Sequence, residues 1–265
     1  MKLPRIARVD CDGFDYSIFA TDDFISMAVF REGTWERMVH ATAAVLLRGF
    51  EAPVVIDVGA NLGLFAVPVA SKISAAGGKL IAIEPQRIVF QQLCGNIFAN
   101  RLDNVWACHK AVGDHVGEVA LPTIDYAKVK NIGAFSIDET LQRLRGLEEG
   151  LDRSRTEKIA LTTLDTLDID GRVRLIKVDV EGMELAVIRG AHQLLDHHRF
   201  PPIIFEAWEH EVFAKERAAL FDEITTLGYQ ISRLGVDSFI AQHPDYDALV
   251  EVRRDGNKAE LTRIK

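Results

Sequence analysis

The chain has 265 residues, 48% of them apolar, and a formal net charge of −8. Such a length and apolar share allow one large α/β domain and exclude wholesale disorder. The acidic balance offers no footprint for a phosphate backbone, so no nucleic-acid partner is expected. The three cysteines, Cys11, Cys94 and Cys108, make no CxxC pair, which argues against a disulfide scaffold or a thiolate zinc site. A cytoplasmic setting is expected. The first residues hold no apolar core of signal-peptide length, and no apolar run is long enough for a membrane span.

In chain order, residues 1–50 read as an N-terminal extension of two or three short strands and a helix. That helix runs from about Thr34, as N-cap, to Leu47, and it is the candidate face for a homodimer. The main domain is expected over 51–245. Val54–Val58 is a near-continuous apolar run, the signature of a buried parallel strand, and it ends in a glycine turn, Gly59-Ala60-Asn61-Leu62-Gly63. A helix to about Ser74 follows, in which Pro68 predicts a kink or a short first turn. Lys79–Glu84 is a second strand. A helix opened by Pro85 follows it, with Phe90, Leu93, Cys94 and Ile97 at helical spacing. Val105–Val112 reads as a third strand.

Residues 115–172 break the alternation and are expected to be an insertion. Its charged stretch, 141–158, reads as a solvated helix, the functional alternative being a lid over a substrate site. Val173–Asp179 is a fourth strand, followed by a helix burying Val187, Ile188, Ala191, Leu194 and Leu195. Pro202–Glu206 is a fifth strand, and a helix covers about Lys215–Leu227. Tyr229–Leu234 and Ser238–Ala241, joined by three residues, make an antiparallel hairpin. Residues 246–265 are expected to be a C-terminal tail.

The turn after the first main-domain strand reads DxGxNxG, from Asp57 through Gly59 and Asn61 to Gly63, and not the GxGxxG of a dinucleotide site. An acid at that strand end would repel a pyrophosphate and suits an ammonium or a sulfonium. Glu84, ending the next strand, can accept from both hydroxyls of a ribose. A ribose joined to a cationic amino-acid tail, without phosphates, describes S-adenosylmethionine. The structural alternatives are a buried helix cap for Asp57 and a helix-dipole acid for Glu84.

The segments VIDVGANLG, IEP, AVGD and IKVDVEGMELAVIRGA, in this order, resemble the FkbM family of S-adenosylmethionine-dependent methyltransferases. Asn131–Ser136, Leu161–Asp165 and the terminal hairpin resemble the family as well, so the likeness covers about residues 20–242. It implies a Rossmann-like methyltransferase fold: a mostly parallel seven-stranded sheet with an antiparallel last strand and helices on both faces. It implies O-methylation of a hydroxyl on a sugar or natural product, and so a small-molecule acceptor; no membrane partner is expected, since no long apolar run is present. It also implies that Asp57, Gly59, Asn61 and Gly63 wrap the methionine end of the donor. Glu84 would hold the ribose, and Val112, Gly113 and Asp114 would flank the adenine. An ordinary turn is the alternative for Gly113-Asp114.

Asp179, Glu181, Glu184 and Glu206 form an acidic group near the switch point of the sheet. Asp179 would position the donor's amino group or the acceptor. Asp179 and Glu206 could instead ligate a divalent metal, or Glu181 and Glu184 could cap the following helix. Lys177 on the same strand needs a buried partner, and a nearby acid is the natural one. His210, just past the fifth strand, is the candidate general base, the alternative being a solvent-facing histidine. Trp208 is a wall of the acceptor pocket or core. His197 and His198 read as structural and His109 as core or edge. The competing functions are an N-methyltransferase of the same fold, an NAD(P)-dependent oxidoreductase and a non-catalytic binding protein.

Overall fold

A computed structural model describes residues 3–133, 135–136, 142–143, 149–255 and 258–265. The chain opens with a hairpin, β1 (Ile6–Cys11) and β2 (Phe14–Phe19), and two helices, α1 (Phe24–Glu32) and α2 (Arg37–Leu47). The alternating core follows: β3 (Val54–Val58), α3 (Ala66–Ser74), β4 (Lys79–Ile83), α4 (Arg87–Ala99) and β5 (Val105–Cys108). The next segment carries β6 (Ala111–Val112), β7 (Gly117–Ile124) and β8 (Leu151–Thr162). Then come β9 (Val173–Val178), α5 (Glu184–Arg189), α6 (His192–His197), β10 (Ile203–Glu206), α7 (Ala214–Thr226), β11 (Gln230–Arg233) and β12 (Ser238–Gln242). A last hairpin, β13 (Val250–Asp255) and β14 (Lys258–Arg263), closes the chain.

Seven strands form the central sheet in the order β11-β12-β10-β9-β3-β4-β5. β5, β4, β3, β9 and β10 pair in parallel, and β12 pairs antiparallel with β10 and β11. This is the Rossmann-like sheet with its reversed last strand. All five residues of β3 are buried, as a parallel strand covered on both faces requires. Strand alternation divides the core into two layers. Val55, Leu80, Ala82 and Leu175 face α2, α3 and α4, whereas Ile56, Val58, Ile176 and Val178 face α5, α6 and α7. No helix among the described residues is long and apolar enough to cross a membrane.

Several expectations are corrected. Thr34 caps no helix: its hydroxyl donates to Asp12 and accepts from Arg37, and α2 begins at Arg37 after a left-handed Glu36. A separate helix, α1, precedes it, with Asp23 as its N-cap. Pro68 lies in the first turn of α3, where its missing N–H has no intrahelical partner to lose. The third strand is two: β5 ends at Cys108, whose carbonyl accepts from Glu84 and Lys110, and β6 joins β8 in another sheet. In the charged stretch 141–158, residues from Leu151 onward form a strand on β7 and not a helix. Residues 141 and 144–148 of that stretch lie outside the described residues. The helix after the fourth strand is broken into α5 and α6 at Gly190, where a Cβ would stand 2.1 Å from the Gly113 carbonyl oxygen. The segment expected as a tail forms the β13–β14 hairpin. Its approach buries Tyr246 completely, with the hydroxyl 3.4 Å from the Val173 carbonyl. The hairpin and α3 pack on α2, the expected dimer face, so the apolar side of α2 is buried within the chain.

Candidate functional site

A cleft of about 250 Å³ opens at the carboxyl ends of β3, β4, β9 and β10. This is the switch point, where the chain leaves β3 in one direction and returns through β9 in the other. The turn after β3 makes its floor. Gly59 has φ +80, and a Cβ there would stand 1.8 Å from the Asp179 carbonyl oxygen, so only glycine lets the two turns touch. Gly59 and Ala60 donate to the Ile83 carbonyl, which ties this turn to β4.

Glu84 follows β4 and is buried in the cleft wall. Its Oε2 accepts from Asn61 N at 3.0 Å and its Oε1 from Gln86 N at 2.8 Å. The carboxylate is therefore held by two backbone amides, with lone pairs left over to accept from a ligand. Burial pushes its pKa up to about 7, against the pull of those amides.

On β9, Lys177 is buried and its Nζ donates to Asp179 Oδ2 at 2.8 Å. The partner expected for this lysine is thus present. Asp57 is its direct neighbour in the β3–β9 register. Asp57 is fully buried, and among the described residues neither carboxylate oxygen has a hydrogen-bond partner. Burial pushes its pKa up to about 7, although Lys177 pulls it down. Burial disfavours the Lys177 ammonium, but Asp179, Asp57 and Glu36 together hold its pKa above the ordinary lysine range.

The roof comes from the N-terminal segment and the 131–135 loop. Asp23 joins them: its Oδ2 accepts from Ser26 N and its Oδ1 from Ile132 N. Phe24, Ile25, Trp35 and Glu36 line the cleft from one side, Gly133 and Phe135 from the other. Three non-glycine residues on its walls have left-handed backbones: Glu36 (φ 39), Asn61 (φ 49) and Glu181 (φ 56). Such strain persists only where surrounding structure imposes it, and it gathers at functional sites.

Of the residues singled out in the sequence, Gly59, Asn61, Glu84, Val112, Asp179 and Glu206 come together on this cleft. Lys177 and Glu181 line it as well, whereas Asp57, Gly63, Gly113, Asp114 and His210 do not. Asp57 lies beneath, because its place on β3 points it to the layer of α2 and α3. Gly63 (φ +97) turns the chain into α3, where a Cβ would press on Leu93. Gly113 packs between Leu161 and Gly190, and Asp114 is exposed and hydrogen-bonded to His115 Nδ1 at 2.7 Å. His210 is exposed and its Nδ1 accepts from Val212 N, capping a short 3-10 turn at 211–213, so the structure does not bring the expected base to the cleft.

Asp179, Glu181 and Glu206 each offer one carboxylate oxygen within 4.8 Å of the others, a donor set suited to a hard divalent cation. Asp179 also bonds to Lys177, and Glu206 accepts from Trp208 Nε1 at 2.9 Å. Glu184 turns away and accepts from Val180 N and Gly182 N. His198 is buried, its Nδ1 accepting from Val173 N, and burial lowers its pKa to about 4. His109 is half-buried against Phe90 and the Pro85 carbonyl. Trp35, Glu36 and Phe24 carry no local sequence signal for the cleft. Their segment is tied to the 130–132 stretch by Asp23, which accepts from Ile132 N, and by Phe24 N, which donates to the Lys130 carbonyl.

The model of the methyltransferase FkbM domain matches residues 57–231. This chain belongs to the FkbM methyltransferase family. It is an S-adenosylmethionine-dependent methyltransferase. The methyltransferase sdnD of Sordaria araneosa is 26% identical over 224 residues, which cover 76% of this chain and 82% of the relative. A crystal structure of an FkbM methyltransferase from Methylobacillus flagellatus KT superposes with a TM-score of 0.47 at 18% identity. That match covers 75% of this FkbM methyltransferase and 47% of the other chain, so the present chain spans about half that protein's length. A 16S rRNA N2 G1207 methyltransferase of T. Thermophilus, in complex with AdoMet and guanosine, gives a TM-score of 0.46 at 14% identity. That match covers 92% of this chain and 51% of the other.

Proposed function

We propose that this enzyme transfers a methyl group from S-adenosylmethionine to a hydroxyl of a small molecule, a sugar or another natural product. The observation that carries the reading is Glu84, a buried carboxylate clamped by two backbone amides on the wall of the cleft. Such a group accepts from both hydroxyls of a ribose without moving. Gly59 and Asn61 would meet the methionine end, Val112 the adenine, and Asp179 would position the amino group or the acceptor. Asp57 would act through Lys177 from below, while Gly63, Gly113 and Asp114 shape the turns that bear the site. Bound there, S-adenosylmethionine supplies an electrophilic methyl carbon on a sulfonium.

The protein's task is alignment and proton removal. An acceptor oxygen forms its bond to the methyl carbon in line with the breaking carbon–sulfur bond, whose electron pair stays on sulfur. The proton left on that oxygen passes to a base. The acids on the walls favour a neutral acceptor over a phosphate-bearing one, and the small roofed cleft favours a small molecule over a polymer.

Calorimetric titration with S-adenosylhomocysteine, with NAD as control, tests the donor half. Saturable binding of the first alone is expected, and binding of NAD, or of neither, overturns it. Transfer of tritiated methyl to a panel of hydroxylated small molecules, beside matched amines, tests the acceptor half. Labelling confined to the amines would replace O- by N-methylation.

A further inference from the structure

The acceptor end of the cleft contains a matched pair of groups that no sequence motif announces. Glu36 follows the turn between α1 and α2 with φ 39 and ψ 47, and it occupies the N-cap position of α2. An N-cap side chain ordinarily bonds to the first amides of its helix. Glu36 makes no such bond, and it lines the cleft instead. Trp35, its neighbour in the chain, lines the cleft beside it. Lys177 lines the same cleft, and its positive charge favours the ionised form of Glu36. One of its three protons goes to Asp179. Glu84 directly follows β4, which lies two strands across from β9, roughly 10 Å at ordinary strand spacing. The pair therefore stands apart from the ribose end.

We infer that Glu36 and Lys177 hold the acceptor's hydroxyl between them, and that the acceptor is a neutral compound with a flat apolar face beside that hydroxyl. The inference rests on the reading that the donor's ribose lies against Glu84. A carboxylate only accepts and an ammonium only donates, whereas a hydroxyl does both, so it satisfies the two groups at once. A protonated amine could bond to Glu36 but would have nothing to accept from Lys177 and would be repelled by it. A carboxylate ligand would meet Glu36 and Asp179 with like charge. The apolar face follows from the walls: Trp35 and Phe24 meet edge to face, centroids 6.4 Å apart, and Phe135 also lines the cleft. Burial holds the Glu36 carboxyl above the usual range, with Lys177 pulling it back and Asp179 raising it further. The same carboxylate is thereby beside the proton that the hydroxyl must lose.

The test uses three probes of one shape: benzyl alcohol, benzylamine and benzoate. Each is titrated by ligand-observed NMR into protein saturated with S-adenosylhomocysteine. Benzyl alcohol is expected to bind about tenfold or more tightly than the other two. The variant Glu36→Gly keeps a backbone that favours the left-handed turn, so the fold should survive while the carboxylate is lost. It should bind S-adenosylhomocysteine within about twofold of wild type and benzyl alcohol about tenfold more weakly. Glu36→Gln, which keeps the side chain's size, checks that result and should also weaken benzyl alcohol. Benzylamine or benzoate binding as tightly as benzyl alcohol overturns the inference. So does unchanged benzyl alcohol binding in Glu36→Gly, or no benzyl alcohol binding while S-adenosylhomocysteine still binds. Failure of S-adenosylhomocysteine itself to bind wild type would instead strike the donor reading.

Discussion

Glu84 shows how much a single carboxylate depends on its backbone. Two amides, from Asn61 and Gln86, hold its oxygens, so no rotamer entropy remains to be lost when a ligand arrives. Glu84→Gln places an amide NH₂ against one of those backbone donors and removes the charge. The expected result is weaker S-adenosylhomocysteine binding by about 1–3 kcal/mol, read by calorimetry. An unchanged titration would take Glu84 out of the ribose role. Lys177 is the complementary case. Its ammonium is buried, yet it stays charged because Asp179 bonds to it and Asp57 and Glu36 lie close.

At the scale of elements, the site is two turns forced together. The turn after β3 and the turn after β9 touch at Gly59, where a side chain has no room. Gly77 also has a left-handed backbone (φ +69), but a Cβ there would meet nothing within 4 Å. The two glycines thus separate backbone strain from collision. Gly77→Ala is expected to cost about 1 kcal/mol in urea unfolding. Gly59→Ala should cost more than about 2 kcal/mol and abolish S-adenosylhomocysteine binding, since β3 and β9 must part. Equal costs at the two positions would show that the close approach is unimportant.

For the whole molecule, buried acids make stability depend on pH. Asp57, Glu84 and Glu184 are held by burial at about 7, against ordinary values of 3.8 to 4.5. Between those limits the folded chain binds more protons than the unfolded one, so stability falls as pH rises from about 4 to about 7. His198, lowered to about 4, works in the opposite direction and only below its ordinary value of 6.5. The acids therefore dominate above that point. Thermal unfolding of the ligand-free enzyme should show a lower Tm at pH 8 than at pH 6.5. Asp57→Asn should flatten that slope and be the more stable protein at pH 8, by about 2–4 °C. A wild-type Tm that rises over this range, or an unchanged slope in Asp57→Asn, would contradict the account.

The sheet was legible because buried parallel strands are written as apolar runs. Val54–Val58 and Ile203–Phe205 have no solvent face, and glycine turns punctuate the sheet. The need of Lys177 for an acid was legible for a similar reason, since a lysine inside such a strand must be paired. Glu84 could be read because strand ends in this topology converge on one crevice. The β7–β8 pairing was not legible, because a charged strand on a solvated sheet has no apolar period. His210 was misplaced because proximity in sequence to β10 does not say which way the chain turns after it. Residue types and periodicity thus determined the layers, the switch point and the Glu84 wall of the cleft. Tertiary structure alone decided the opposite wall: Trp35 and Glu36 arrive from the N-terminal segment, tied by Asp23 to a loop more than a hundred residues away, and contacts that distant leave no local pattern to read.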